Sequence, residues 1–278
     1  SDEPNLFYNV ISYICRQIKA KIMKIKKPLI LISNDDGYRS NGICTLASFL
    51  TDFAEVVICA PEDGRSGFSC AFTASAPVRL KQHHNIPDCE VWACSGTPVD
   101  GVKIALSVVL KGRKPDLILG GINHGDNSSV NNHYSGTMGI AREGCMKYIP
   151  SIAFSSCDYN VNADLTPLRD NVRFIVKHVL ANGLPKGICL NVNFPKAHIF
   201  KGIKLCRMGQ GSWVNEIDER QHPHGYNYYW VAGEYRNDEP LATDNDQWAL
   251  HHNYVAVTPV NLDVTGYEAM EQLSMLNG

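Results

Sequence analysis

Pro28-Leu29-Ile30-Leu31-Ile32-Ser33-Asn34-Asp35-Asp36-Gly37 is the stretch on which the fold turns. Its first six residues carry no charge and read as a strand buried on both faces, the kind found in parallel sheets covered by helices. The run then breaks into Asn-Asp-Asp-Gly, so a buried strand ends on two neighbouring carboxylates. Downstream the period changes: Ile43, Leu46, Ala47 and Leu50 fall at i, i+3, i+4 and i+7, a helix with one apolar stripe.

The alternation continues outward. Strands are predicted at 55–60 (EVVICA), 91–94, 116–120 (DLILG), 151–156 (SIAFSS) and 187–192. Helices are predicted from Thr97-Pro98, an N-cap residue with Pro at the first turn, through Val109, then over 138–146 and 168–180. Strand–helix alternation at this spacing implies βαβ units, hence an α/β fold with a mostly parallel sheet and helices on both faces. After Pro195 the chain turns rich in Tyr, His, Asn and Gly, with strand-like stretches at 228–232 and 254–258. Those suggest a hairpin extension, and a short C-terminal helix is expected from Thr265. The division expected is an N-terminal extension over 1–27 and one domain over 28–278, with the α/β core at 28–195 and the hairpin and C-terminal region at 196–278.

Composition narrows the function. Among 278 residues, 26 Lys+Arg against 28 Asp+Glu leave a net charge of −2, which argues against a nucleic-acid polymer as partner. No apolar run approaches the ~20 residues that cross a bilayer, so no membrane partner is expected. The ten cysteines include several in apolar runs, such as Cys59 and Cys189, and form no C-x-x-C pair. They read as reduced core residues of a cytoplasmic protein. Residues 1–22 lack the basic start and apolar stretch of a secretory signal. Met23 is a conventional-looking start, and 6–22 could form a short helix.

Ligands of open parallel sheets bind beyond the carboxyl ends of the strands. The loops predicted there are Asn34–Gly37, Glu62–Gly67, Ser95–Pro98 and Gly120–Asn127, the last continuing to Tyr134–Thr137. Adjacent Asp35 and Asp36 repel unless a cation compensates them, and a hard divalent ion with oxygen ligands does so directly. Solvated aspartates in an Asx-turn are the bland alternative. Ser66 and Asn123 are the neutral oxygen donors best suited by type to join them. Ser135-Gly136-Thr137 ahead of a helix looks like an anion cradle, though on three residues alone a plain N-cap is the better reading. No G-x-G-x-x-G follows the first strand and no G-K-[ST] occurs, so neither a dinucleotide fingerprint nor a Walker loop is present. His124 could donate to a phosphate or a leaving oxygen. His222, His224, His251 and His252 lack a third ligand at useful spacing and read as surface residues. Trp213, Tyr226, Tyr228, Tyr229 and Trp230 fit an intersubunit contact better than a base platform.

Taken together, N-D-D-G at 34–37, G-R-S-G at 64–67, S-G-T-P-x-D at 95–100, G-G-I-N-x-G-x-N at 120–127 and Y-S-G-T at 134–137 resemble the SurE (survival protein E) nucleotidases. The resemblance implies a Rossmann-like three-layer α/β/α core with a protruding hairpin. It also implies a metal-dependent phosphatase of nucleoside 5′-monophosphates, with 3′-monophosphates and short polyphosphate as further substrates. One divalent ion, Mg²⁺ or Mn²⁺ with Ca²⁺ as a stand-in, would be held by Asp35, Asp36, Ser66 and Asn123. Asp35 and Asp36 would be the catalytic pair, and phosphate would meet Asn127, Ser135, Gly136 and Thr137. A C-terminal segment exchanged between subunits implies a homodimer or homotetramer. Gly120 stands where the family more often has Ser, a change that a backbone-lined loop should tolerate. A non-catalytic metal- and nucleotide-binding sensor is the alternative of a different class.

Overall fold

The structure, a computed structural model, describes residues 27–276. The extension over 1–26, with Met23 and the helix expected at 6–22, lies outside the described residues. The first strand, β1 (Leu29–Ser33), is wholly buried. Its side chains alternate between two cores, as a two-residue period requires. Ile30 and Ile32 pack with α1 (Asn41–Ser48) and α5 (Arg169–Asn182) on one face. Leu29 and Leu31 pack with α2 (Pro98–Ile104), its π-helical continuation Ala105–Val109, and α4 (Gly136–Met146) on the other. That double burial makes the three layers, and truncating a side chain such as Leu31 to alanine would cost about 2–5 kcal/mol.

The remaining core strands are β2 (Glu55–Pro61), β4 (Cys89–Cys94), β5 (Leu117–His124), β6 (Ser151–Ser156) and β7 (Ile188–Phe194). They run parallel to their neighbours in the order β4-β2-β1-β5-β6-β7. The sequence reading missed the edge strand β3 (Leu80–His83), which pairs antiparallel to β4; three of its four residues are polar and all are at least partly exposed, so no apolar pattern marks it. On the other side β13 (Val255–Asn261) pairs antiparallel to β7, and β8 (Ile203–Leu205) closes the nine-stranded sheet. The sheet is therefore mixed, with parallel pairing dominant.

The last third carries more strands than its two apolar stretches suggest. β9 (Gly211–Val214) pairs with β12 (Glu234–Asn237), and β10 (Ile217–Gln221) with β11 (Asn227–Val231). These two antiparallel pairs stand apart from the main sheet. α3 (Asn131–Tyr134), α6 (Asp246–His251) and the C-terminal α7 (Tyr267–Gln272) complete the described chain. Among the described residues the nine cysteines are all free, and no helix is long and apolar enough to cross a membrane.

Candidate active site

The chain leaves β1 for β2 on one side and reaches β5, on the other side of β1, only after β4. The crevice of an open α/β sheet forms at such a reversal. Asn34, buried beyond β1, closes the turn by donating its amide hydrogens to Gly37 O (3.0 Å) and Ser40 Oγ (2.7 Å). Gly37 takes φ +100°, a conformation L side chains rarely adopt. The turn directs Asp35 inward, 3% exposed, and leaves Asp36 half-buried beside it. The amide of Arg65 donates to Asp35 O (2.6 Å), which brings the loop after β2 to the same place.

The N-terminus of α4 meets Asp35 directly. Thr137 Oγ1 donates to Asp35 Oδ1 at 2.5 Å. A Cβ on Gly136 would lie 3.0 Å from Asp35 Cβ and 3.1 Å from Oδ2, so glycine lets this backbone sit against the carboxylate without displacing it. Burial pushes the Asp35 carboxyl up to about 6; the Thr137 hydrogen bonds pull it back and the neighbouring Asp36 charge pushes it further. Burial likewise raises Asp36, against the opposing pull of the His124 amide. Asp36 Oδ2 is buried without a hydrogen-bond partner.

Among the described residues no Lys, Arg or His forms a salt bridge with either carboxylate. Nor does any group of three or more His, Cys, Asp and Glu gather as a metal cluster. A dication here would be held by two carboxylates and neutral oxygens, a donor set suited to a hard ion. The residues fit that role. Asp36 has an oxygen to spare, and Asn123 commits its amide nitrogen to Gly125 O (2.7 Å), leaving Oδ1 as a free acceptor. Ser66 is exposed, one residue beyond the Arg65 contact.

The proposed phosphate-side residues are partly engaged already. Ser135 Oγ caps its own helix by accepting from Met138 N (3.0 Å), which leaves the hydroxyl proton to give. Thr137 spends its proton on Asp35. Asn127, 6% exposed, donates Nδ2 to Ser155 Oγ (2.7 Å) and is pinned to β7 through Asn193 Oδ1 and Asn191 Nδ2. His124 has both ring nitrogens buried without partners, and burial holds its pKa below the ordinary value. The distant histidines stack on rings: His222 against Tyr226 at 4.4 Å and His252 against Trp248 at 3.9 Å. Trp213 donates to Asn131 Oδ1 (2.9 Å), whereas Tyr226, Tyr229 and Trp230 lie exposed.

One expectation needs correction. The strand read as 116–120 continues to His124, with a register shift between Gly120 and Asn123, so Asn123 is presented from the end of β5 and not from a loop. Gly120 is therefore packed inside a strand. A Cβ there would fall 2.6 Å from Thr137 O, so this chain's glycine fits the close approach of α4, and a serine here would need α4 to shift.

Sequence reasoning also missed Asp100. It forms a capping box with Thr97 at the start of α2, and it accepts from Thr73 N (3.0 Å) and Thr73 Oγ1 (2.6 Å). Those bonds tether the loop that carries Ser66. Burial favours raising the Asp100 carboxyl, but the bonds from Thr73 and Thr97 outweigh it and hold it below the ordinary value. Its signal was the final residue of S-G-T-P-x-D. Asn191 and Asn193, wholly buried amides in an apolar strand, were a second unread signal.

The family model described as Survival protein SurE matches residues 30–215, the stretch that holds every site residue named above. The 5′-nucleotidase SurE of Phocaeicola vulgatus is 49% identical over 255 residues, covering 92% of this chain and 99% of that protein. The protein of the same name from Bacteroides thetaiotaomicron is 46% identical over 252 residues, covering 91% and 97%. The crystal structure of the SurE protein from Aquifex aeolicus superposes with a TM-score of 0.78 at 37% identity, covering 90% of this chain and all of that one. Identity at this level across nearly the whole length, on the same sheet and with the matched segment spanning the carboxylate turn, means that the chain belongs to the SurE family.

Proposed function

We propose that this chain is a divalent-metal-dependent 5′-nucleotidase that releases nucleoside and phosphate from nucleoside 5′-monophosphates. The observation that carries this reading is the pair at the sheet reversal, buried Asp35 set against the start of α4 with half-buried Asp36 beside it, neither salt-bridged among the described residues. Relatives named 5′-nucleotidase SurE support it.

Asp35, Asp36, Asn123 Oδ1 and Ser66 would hold Mg²⁺ or Mn²⁺. Such an ion, when bound, supplies Lewis-acid neutralisation of phosphoryl charge and acidifies water. The chain's own groups do the rest. Asp36, the less enclosed of the two, orients the attacking water and takes its proton on the carboxylate oxygen that does not hold the ion. Asp35 is too enclosed by Gly136 and Thr137 to serve as a nucleophile, which disfavours an aspartyl-phosphate route. The Ser135 hydroxyl and the amides opening α4 donate to phosphoryl oxygens, with Asn127 fixing the loop beside them.

The same reading extends to 3′-monophosphates and short polyphosphate as further substrates, and to a cytoplasmic location. Residues 28–278 act as one domain. Exposed Tyr229, Trp230 and Val231 on β11, with Val264, Leu273 and Leu276 near the C-terminus, support a homodimer or homotetramer. Phosphate release from AMP, GMP, 3′-AMP and tripolyphosphate, with Mg²⁺ or Mn²⁺ and with EDTA, tests the proposal. Metal-dependent release from AMP is expected. Nucleotide binding without release would make the chain a sensor instead.

A further inference from the structure

A cavity of about 360 Å³ opens beyond the carboxyl ends of β6 and β7, two and three strands from Asp35 in the sheet. Cys157 and Pro195, which follow those strands, line it together with Leu250, and Gln247 and Asn253 add amide groups. Asp126 lines it as well, and Asp126 sits between Asn123 and Asn127 in the chain. The cavity thus lies on the same sheet edge as the carboxylate pair, and Asp126 links the two through the loop after β5. Cys157, Pro195 and Leu250 give it an apolar wall, and Asp126, Lys196, Gln247, His251 and Asn253 make the rest of its lining polar.

The hydrogen bonds around Gln247 fix which way its amide faces. Ser128 Oγ donates to the Asp126 carboxylate, a group that can only accept. With its single proton spent there, Ser128 Oγ can only accept from Gln247, so the contact at 2.7 Å must come from Gln247 Nε2. The relay runs Gln247 to Ser128 to Asp126, and it leaves Gln247 Oε1 as the oriented acceptor. An acceptor held this way matches an exocyclic amino group on a base and opposes a ring carbonyl.

We propose that this cavity is the nucleoside pocket of the site, and that Gln247 makes it prefer bases bearing an amino group, adenine over hypoxanthine. Pro195 and Leu250 flank the base, and Asn253 borders it at the exposed rim. The proposal rests on the nucleotidase reading above.

The test compares AMP, IMP and p-nitrophenyl phosphate on the intact protein and on Gln247→Met, a near-isosteric change without the amide. AMP and IMP differ at the 6-position, and p-nitrophenyl phosphate has no nucleoside. The parent should favour AMP over IMP by about tenfold in kcat/KM, the value of one oriented hydrogen bond. Gln247→Met should erase that ratio, mainly through KM for AMP, and thermal melts of parent and variant serve as the folding control. Asn253→Gly keeps the φ of +63° at that position and should raise KM for both nucleotides without altering their ratio. An AMP/IMP ratio unchanged in Gln247→Met, with the aryl phosphate still hydrolysed, would overturn the assignment of the pocket. Failure of the parent to hydrolyse any of the three with Mg²⁺ or Mn²⁺ would overturn the nucleotidase reading itself.

Discussion

Replacing Asp35 with asparagine should make the metal-free protein more stable while destroying its function. The folded-state carboxyl sits at about 6 against an ordinary 3.8. In the folded protein it keeps its proton up to about pH 6, whereas in the unfolded chain it loses it near 3.8. The folded state therefore binds more protons across that window, and its stability falls as pH rises through it and then levels off. A rise of about two units at ~1.4 kcal/mol each makes the ionised side chain cost roughly 3 kcal/mol at pH 7.5. Asparagine cannot ionise and escapes that cost. Its Oδ1 still accepts from Thr137 Oγ1, but an NH₂ in place of the second oxygen forfeits the bond from the Thr137 amide, about 1 kcal/mol. The net expectation for Asp35→Asn is a gain of about 2 kcal/mol.

Urea unfolding in EDTA at pH 7.5 and pH 4.5, parent against Asp35→Asn, measures this directly. The variant should be the more stable at pH 7.5, and the difference should close at pH 4.5, where the parent carboxyl is protonated. Adding Mn²⁺ should raise the parent's midpoint at pH 7.5 and leave the variant's unmoved, a readout independent of turnover. A variant no more stable than the parent at pH 7.5, or a difference that does not shrink at low pH, would refute the reasoning, because burial of the charge would then not be the cost it is taken to be.

Asp100→Asn should lose about 1–3 kcal/mol by breaking bonds to Thr73 and Thr97, and limited proteolysis should cut the loop over 62–79 sooner. Because the Asp100 carboxyl is lowered in the fold, its contribution is complete above pH 3.8 and lost as pH falls through the lowered value; an acid-unfolding midpoint that does not move in the variant would count against the tether. Gly120→Ser should cost about 1–3 kcal/mol in a thermal melt through contact with Thr137 O, and a neutral result would show that α4 yields freely. Trp230→Ser combined with Tyr229→Ser should weaken self-association in sedimentation velocity, with an unchanged distribution refuting the hairpin as interface.

What the sequence disclosed and what it hid divide along burial. β1, β2, β5, β6 and β7 were legible because strands covered on both faces become runs dominated by apolar residues, and their carboxyl ends mark the edge where a crevice opens. Asp35 and Asp36 were legible for the same reason, as charges placed where a buried strand stops. β3, β10 and β12 were not, because each is short and has mostly polar or exposed side chains, and β9, four half-buried residues, is too short for a period to mark it. Asn123 was legible as a residue but not as a strand end, since the shift between Gly120 and Asn123 leaves no trace in residue type.

The hidden features are mostly groups that hold other groups. Asp100 grips the loop after β2, Asn191 and Asn193 grip Asn127, and buried Asp246 accepts from Ser129 N (2.8 Å) and Gly209 N (2.9 Å), joining the loop after β5 to the last third of the chain. Each acts over tens of residues, and spacing along the chain carries no signal of it. This places the C-terminal third in a different light from the appendage its composition suggests. Through Asp246 at the start of α6 it fixes Ser129, two residues from Asn127, which is proposed to face the phosphoryl group. A mutation that loosens α6 should therefore act on the site without touching it. Asp246→Ala is expected to lower nucleotide turnover more than it lowers the melting temperature would explain, with hydrogen exchange rising at 126–132 before it rises in β1. Exchange rising everywhere at once would mean that Asp246 merely holds the fold together.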